Sequence, residues 1–434
     1  MSPTIVVIIG FVVLLLLFLS RMPIAFVMAL VGFLGFSYLV SIGAGLSLVA
    51  KDMYAIFSSF VYTAIPMFVW MGYIAFHMGI SKKLYTAAYK LIGHLRGGLA
   101  AATIGACGAF GAVCGSTTAT AATMGVVALP EMRRYKYSDS LATATVASGG
   151  ILGALIPPSV LFIIYGIATE QSISELFLAG IFPGILLLVL FIVTIYILTL
   201  RNPRLGPAGP KANFKEKVAA LSGGTGETIV IFCIVIGGLF AGFFTPTEAG
   251  ATGAASVLLV ALSRRQLTWQ GFITSVADTT KLSAMLFMLV TGAVIFGRFI
   301  TISGMPTEVT GWAGGLPLPR FVILGIVLFI LFVLGCFMDG VAVLLLTLPI
   351  VFPLIMTLGY DPIWFGVIMV VVTGLGMITP PVGLNVYVVY GVAKDVPLMT
   401  IFRGIWPFVG AIIICIAILI AFPQIAVFLP GLMR

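Results

Sequence analysis

Long apolar runs alternate with short polar and basic segments along nearly the whole chain, beginning with Ile5 to Leu19 and Pro23 to Val40. A helix crosses a bilayer with roughly 20 apolar residues. Unpaired backbone in lipid leaves only helices or closed barrels, and the period-two alternation of barrel strands is absent. The pattern therefore predicts an all-α polytopic membrane protein of about eleven spans. The first run has no basic n-region or small-residue cleavage site and is followed by Arg21, so it reads as a retained helix rather than a signal peptide.

Composition agrees with this reading: the 434 residues are 61% hydrophobic and 8% charged, against about 25% charged in an ordinary soluble domain. The net charge of +9 does not point to nucleic acid, because the basic residues sit in short loops between apolar runs. Five clusters stand out: Arg21; Lys82, Lys83, Lys90 and Arg96; Arg133, Arg134 and Lys136; Arg201, Arg204, Lys211, Lys215 and Lys217; and Arg264 with Arg265. The positive-inside rule puts all five in the cytoplasm and the N-terminus outside. On that frame the second helix exits near Lys51 and Asp52, and a third span covers about Phe57 to Met78. Later spans cover Ile173 to Leu200, Glu227 to Phe243 and Lys281 to Ile302. The five cysteines lie in apolar surroundings without CxxC spacing or a nearby histidine, and are expected to pack rather than bind metal.

Residues 97–130 break the alternation, being apolar yet lying between two basic clusters that require the same side. A re-entrant helical hairpin resolves the conflict, with its tip at Cys114-Gly115-Ser116-Thr117-Thr118. Beyond it, GGILGALIPPSVLFIIYGIA places Pro157 and Pro158 inside a hydrophobic run, where a proline pair breaks a helix. A shift of 223 positions pairs Pro130 with Pro353, Tyr137 with Tyr360, Gly153 with Gly376, and Pro157 and Pro158 with Pro380 and Pro381. The second copy starts from the opposite side of the membrane, so its hairpin, tipped at Phe337-Met338-Asp339-Gly340, is expected to enter from outside. Inverted repeats with paired interrupted helices are the architecture of secondary transporters.

Each break frees carbonyls at one half-helix end, suited to a small cation, and amides at the other, suited to an anion. A single Pro-Pro kink is readily patched by neighbouring hydroxyls; two copies, each beside a hairpin tip, favour a binding role. For sodium, the first copy offers oxygens at Ser116, Thr117, Thr118 and Ser148 with the backbone around Gly149 to Gly153. The second offers Asp339, Thr373 and Thr379 with the backbone around Gly374 and Gly376. Asp339 fits equally as a helix N-cap and as an ion contact, and the two are compatible. Arg298 reads first as a residue snorkelling to the outer interface and second as a substrate contact. Glu248 reads as a helix cap, and Trp70, Trp364 and Trp406 as anchors or packing.

The segments GAVCGSTTATAATMG, GGILGALIPPS, FTPTEAGATGA, GCFMDG and GMITPPVGLNVYVVYGVA, in this order, resemble the large, DctM-type membrane subunit of tripartite ATP-independent periplasmic (TRAP) transporters, over nearly the whole chain. The resemblance implies a sodium-driven importer of small organic anions, such as dicarboxylates, sialic acids, sugar acids and sulfonates, working by an elevator motion. It also implies a small four-helix membrane subunit, expected as a separate chain, and a periplasmic substrate-binding protein, in the bacterial inner membrane. Carried onto this sequence, the first sodium site maps to Ser116, Thr117, Ser148, Gly149, Gly150 and Gly153. The second maps to Met338, Asp339, Gly340, Thr373, Gly374 and Gly376. Candidate substrate contacts are Gly115, Thr118, Pro157, Pro158, Thr379, Pro380, Pro381, Asn385 and Arg298. One departure is that some relatives carry a polar or acidic run where this chain has Val371-Val372-Thr373-Gly374-Leu375, so the second site lacks an acidic ligand there.

The expected division is scaffold at 1–56, a first repeat at 57–172, scaffold with the basic 201–217 loop at 173–280, a second repeat at 281–397, and a scaffold helix at 398–434. Two alternatives are a carrier that needs no binding protein and, remotely, an intramembrane hydrolase using Ser116. The second is disfavoured because the two histidines, His77 and His94, are expected near the cytoplasmic edge, away from any nucleophile. No nucleotide or metal motif appears, so no ATP is expected to drive the process.

Overall fold

The computed structural model describes residues 2–20, 22–220 and 225–433; Arg21, one of the five basic clusters, lies outside them. Among the described residues there are helices and no strands. The chain opens with α1 (Pro3–Leu19), α2 (Ile24–Leu39), α3 (Ile42–Ser58), α4 (Ala64–His77) and α5 (Ile80–Ile92). A hairpin of α6 (Gly98–Cys114) and α7 (Thr117–Arg134) follows, then an interrupted helix of α8 (Asp139–Gly149), α9 (Leu152–Leu155) and α10 (Val160–Thr169). The connecting region holds α11 (Ile173–Arg201), α12 (Phe214–Ala220), α13 (Gly226–Phe240), α14 (Pro246–Ser263), α15 (Trp269–Ile302) and α16 (Met305–Gly315). A second hairpin, α17 (Arg320–Phe337) and α18 (Gly340–Thr357), precedes a second interrupted helix, α19 (Pro362–Ile378) and α20 (Leu384–Val392), and α21 (Leu398–Ala421) and α22 (Gln424–Gly431) close the chain.

The element order hairpin then interrupted helix thus occurs twice, and the caps repeat with it. Ser116 is the N-cap of α7 and Asp339 that of α18; Ser138 caps α8 and Asp361 caps α19. Both pairs stand 223 residues apart, the shift that aligns the prolines. The Pro157–Pro158 and Pro380–Pro381 peptide bonds are both cis.

Among the described residues five helices, α11, α15, α17, α18 and α21, are individually long and apolar enough to cross a membrane, and seven spans result if each of two bent pairs counts as one. The larger expected number depends on shorter apolar helices, including α1, α2, α6, α13 and α19. Boundaries also differ from the hydropathy reading. The second apolar run ends at Leu39, and Lys51 and Asp52 belong to a separate helix because the Ser41 hydroxyl accepts from the Ala44 amide and starts α3. Ile42–Ser58 and Val61–His77 then meet at 58°, so the third span begins only after a 3-10 turn at Val61–Thr63. The helix expected from Lys281 starts at Trp269, where Thr268 caps it.

Glu248 closes a capping box with Thr245, as expected for a cap. Trp364 is buried, with its indole N–H donating to the Leu419 carbonyl at 2.8 Å, which makes it a packing residue. The long helix α15 packs along α2 and α4 and against α18, so one element borders both the outer helices and the second hairpin.

The candidate binding site at the hairpin tips

Glycine makes the first tip. Gly115 has φ +66, and a Cβ there would stand 2.8 Å from the Pro158 carbonyl oxygen, so both the turn and the close approach require the absent side chain. The tip is then tied to the break, because the Val160 amide at the start of α10 donates to the Gly115 carbonyl at 3.2 Å. The second repeat does the same with different residues: the Gly383 amide, at the start of α20, donates to the Cys336 carbonyl at 3.2 Å.

Below each tip a glycine of the hairpin's first arm meets a glycine of the interrupted helix. A Cβ on Gly111 would lie 2.5 Å from the Gly153 Cα, and one on Gly376 would lie 2.5 Å from the Gly335 carbonyl carbon. These pairs bring backbone against backbone, a distance no larger residue permits. Gly111 and Gly335 escaped the sequence reading, although their spacing nearly follows the repeat.

Between the tips lies a cavity of about 230 Å³ bordered by Gly115, Ser116, Thr117 and Thr118 from the first and Asp339, Gly340 and Val341 from the second. Thr117, Val160 and Gly340 are the first residues of α7, α10 and α18, so three helix N-termini face one space. Each carries a partial positive charge of roughly half an elementary unit. The opposite wall is Leu282, Met285 and Leu286 of α15. The α15 wall was not anticipated, because those residues read only as part of a span.

Several sequence-predicted residues converge beside the first tip. Thr117 carbonyl oxygen and the Asn385 side-chain amide lie within 3.1 Å of where a Gly150 Cβ would be, and Ser116 carbonyl oxygen and Thr120 Oγ1 lie within 2.7 Å of the corresponding Gly153 position. Asn385 crosses between the repeats, its Nδ2 donating to the Ala147 carbonyl at 3.2 Å. Its Oδ1 and the Ser148 Oγ are buried without hydrogen-bond partners. Thr120 Oγ1 is also buried, with only the Cys114 thiol, a weak partner, beside it. Thr120 was missed, yet it stands one helical turn beyond Ser116, on the same face. Buried oxygens left unpaired are costly unless something binds them.

The backbone at the breaks is more closed than the prolines alone imply. In the first repeat Ile151, Gly153 and Ala154 amides bond to Ser148, Gly150 and Ile151 carbonyls, tightening the chain into 3-10 geometry. In the second, Thr373, Gly374 and Gly376 lie inside continuous α19, and Thr373 and Thr379 hydroxyls donate to carbonyls of their own helix. The open segment is displaced to Thr379–Gly383. Asp339 caps α18, Oδ1 accepting from the Val341 amide at 2.7 Å with the Ala342 amide also facing the carboxylate, and the residue borders the cavity.

The remaining candidates lie elsewhere. Pro157 and Pro158 are buried in the first break, whereas Pro380 and Pro381 are exposed. Arg298 lines a separate cavity of about 310 Å³ with Thr301, Pro349 and Pro353, and its Nε lies 3.6 Å from Asp52 Oδ2. Ser116 Oγ accepts from the Ala119 amide and lies 3.4 Å from Thr118 Oγ1; neither is a base. Among the described residues no cluster of three or more His, Cys, Asp and Glu exists to hold a metal.

A multi-pass helical membrane protein in which two hairpin tips and two interrupted helices enclose one cavity has the frame of a membrane carrier. The chain belongs to the DctM component family of tripartite ATP-independent periplasmic transporters, whose family model matches residues 11–425. It is 36% identical to the C4-dicarboxylate TRAP transporter large permease protein DctM of Pseudomonas aeruginosa, over 85% of this chain and 86% of that one. It is 32% identical to the sialic acid TRAP transporter large permease protein SiaM of Vibrio cholerae, over 96% of each. Its fold is similar to that of the Alcanivorax borkumensis YdaH transporter, with a TM-score of 0.62, 16% identity, and 88% and 90% of the two chains covered.

Proposed function

We propose that this chain is the large permease of a sodium-coupled importer, carrying a small organic anion across the bacterial inner membrane. A periplasmic binding protein delivers the anion, and a small four-helix membrane subunit completes the complex. The two hairpins are re-entrant, and with the interrupted helices they form a transport domain that slides against the remaining helices as an elevator. The observation that carries the reading is the single cavity between the tips, where three helix N-termini face inward beside Asp339. N-terminal amides favour an anion; the carboxylate, the unpaired oxygens of Ser148 and Asn385 and the weakly partnered hydroxyl of Thr120 favour a small hard cation. Sodium and anion bound together neutralise each other in a low-dielectric site, and that mutual dependence is the physical basis of coupling.

Uptake in proteoliposomes tests this. Membrane complex and binding protein together are expected to accumulate the anion when sodium is outside and not when potassium replaces it. Uptake unaffected by that replacement refutes sodium coupling. Full-rate uptake by this chain alone refutes the tripartite arrangement.

A further inference from the structure

The cavity between the tips has a lining that narrows the chemistry of its cargo, and this step rests on the carrier reading above. We infer that the cargo is a compact monoanion, a carboxylate or sulfonate on an aliphatic body, rather than a dicarboxylate or a polyhydroxylated sugar acid.

Charge is the first argument. Among the described residues no Lys, Arg or His lines the cavity, and the one charged side chain there is the carboxylate of Asp339. If each of the two sodium sites implied by the resemblance is filled, the Asp339 charge leaves a single positive charge, which one anionic group balances. A second carboxylate on the cargo would lie in the apolar half without a partner, and an unpaired charge there is strongly disfavoured.

Hydrogen-bonding capacity is the second. The polar side chains are Ser116, Thr117, Thr118 and Asp339, and Thr117 already donates to the Met377 sulfur at 3.6 Å while Asp339 caps α18. Leu282, Met285 and Leu286 supply no donors on the opposite wall. Each cargo hydroxyl turned toward that wall loses its water without replacement.

Size is the third. At about 230 Å³ the cavity is on the scale of several water-sized groups of about 30 Å³ each, which suits a compact cargo. A second cavity of about 200 Å³ shares Ser116 and Leu282 with the first and continues behind the tip past Val69, Phe76 and Phe110. Its described lining has no cationic side chain either, its polar groups being neutral (Tyr73, Thr123, Ser116 and Cys114), so an extension of the cargo in that direction carries no second charge.

The test is thermal unfolding of the purified membrane complex, in sodium chloride and in potassium chloride, titrated with isovalerate, succinate or glycerate. The three are similar in size and differ in apolar body, second carboxylate and hydroxyls. Isovalerate is expected to raise the unfolding temperature in sodium only, at a concentration about tenfold below that needed for the other two. If succinate or glycerate stabilises equally well in sodium, the inference fails and the carrier reading stands. If no anion of any class stabilises in sodium, both fail. Met285→Lys, on the exposed side of the α15 wall, is expected to shrink the succinate–isovalerate difference by about tenfold relative to Met285→Gln. An unchanged difference overturns the assignment of that wall.

Discussion

Replacing Gly376 by alanine puts one methyl group where the second hairpin meets its interrupted helix backbone against backbone. The new Cβ would lie 2.5 Å from the Gly335 carbonyl carbon, 2.7 Å from its Cα and 2.8 Å from the Cys336 nitrogen. All three are backbone atoms, so no rotamer change relieves the contact. Ordinary van der Waals separation between carbons begins near 3.5 Å, so α17 must retreat from α19 by about 1 Å. Overpacking of this kind costs about 1–3 kcal/mol, and Asp339 stands at the end of the arm that moves. Gly335→Ala is milder, its Cβ meeting the Thr373 oxygen at 3.1 Å, and Gly391→Ala meets nothing within 4 Å. Thermal unfolding of the three purified variants should therefore rank Gly376→Ala below Gly335→Ala and both below Gly391→Ala. Sodium-driven uptake should fall in the same order. A Gly376→Ala protein with wild-type unfolding temperature and uptake would refute the claim that this contact sets the position of the tip.

Three further outcomes are expected. Asp339→Asn keeps a good N-cap but removes the charge, so the unfolding temperature should stay near wild type while the sodium dependence of uptake weakens; unchanged sodium activation would leave Asp339 as a cap alone. Thr120→Val is close in shape and loses only the buried hydroxyl, so it should raise the half-saturating sodium concentration with little loss of stability, and an unaltered sodium titration would remove Thr120 from the site. Outside the membrane-spanning segments, the Arg133 guanidinium bonded to Asp395 at 2.7 Å holds that carboxyl below its ordinary range. A depressed pKa adds stability above the unfolded value of about 3.9 and loses it as pH falls through the folded one, so the small advantage of wild type over Asp395→Asn should be present at neutral pH and vanish on acidification below about pH 4; an advantage that persists in acid would contradict the ion pair.

Much of this frame is legible in the residues because it depends on local rules. Gly115 must turn and Ser116 and Asp339 must cap, so the hairpin tips fall where the sequence puts them, whereas the second opening lies at its prolines rather than at the glycines before them. Hydropathy located the apolar runs but not their ends, because Ser41 and Thr268 start helices inside or before runs that read as single spans. The close glycine pairs and the α15 wall were not legible, since each joins elements far apart in the chain. Arg298 shows the same limit: alone it reads as a snorkelling residue, and its approach to Asp52 on α3 is a tertiary fact.

The duplication itself separates frame from chemistry. Applying the 223-residue shift to the buried hydroxyls of the first repeat takes Thr120 to Val343 and Ser148 to Val371, both apolar and both buried. The same shift takes the neutral cap Ser116 to the carboxylate of Asp339. The repeat therefore reproduces caps and close glycine contacts while dividing the ligands unequally: neutral oxygens gather around the first tip, partly through Asn385 reaching across from the second repeat, and the one carboxylate stands at the other. A cation held by neutral oxygens keeps its full charge for an anionic neighbour, whereas one beside Asp339 is already compensated. On this reasoning the first tip supplies most of the attraction for the cargo and the second most of the affinity for sodium, so substitutions at Thr120 and Asn385 should couple to anion binding more strongly than substitutions at Asp339.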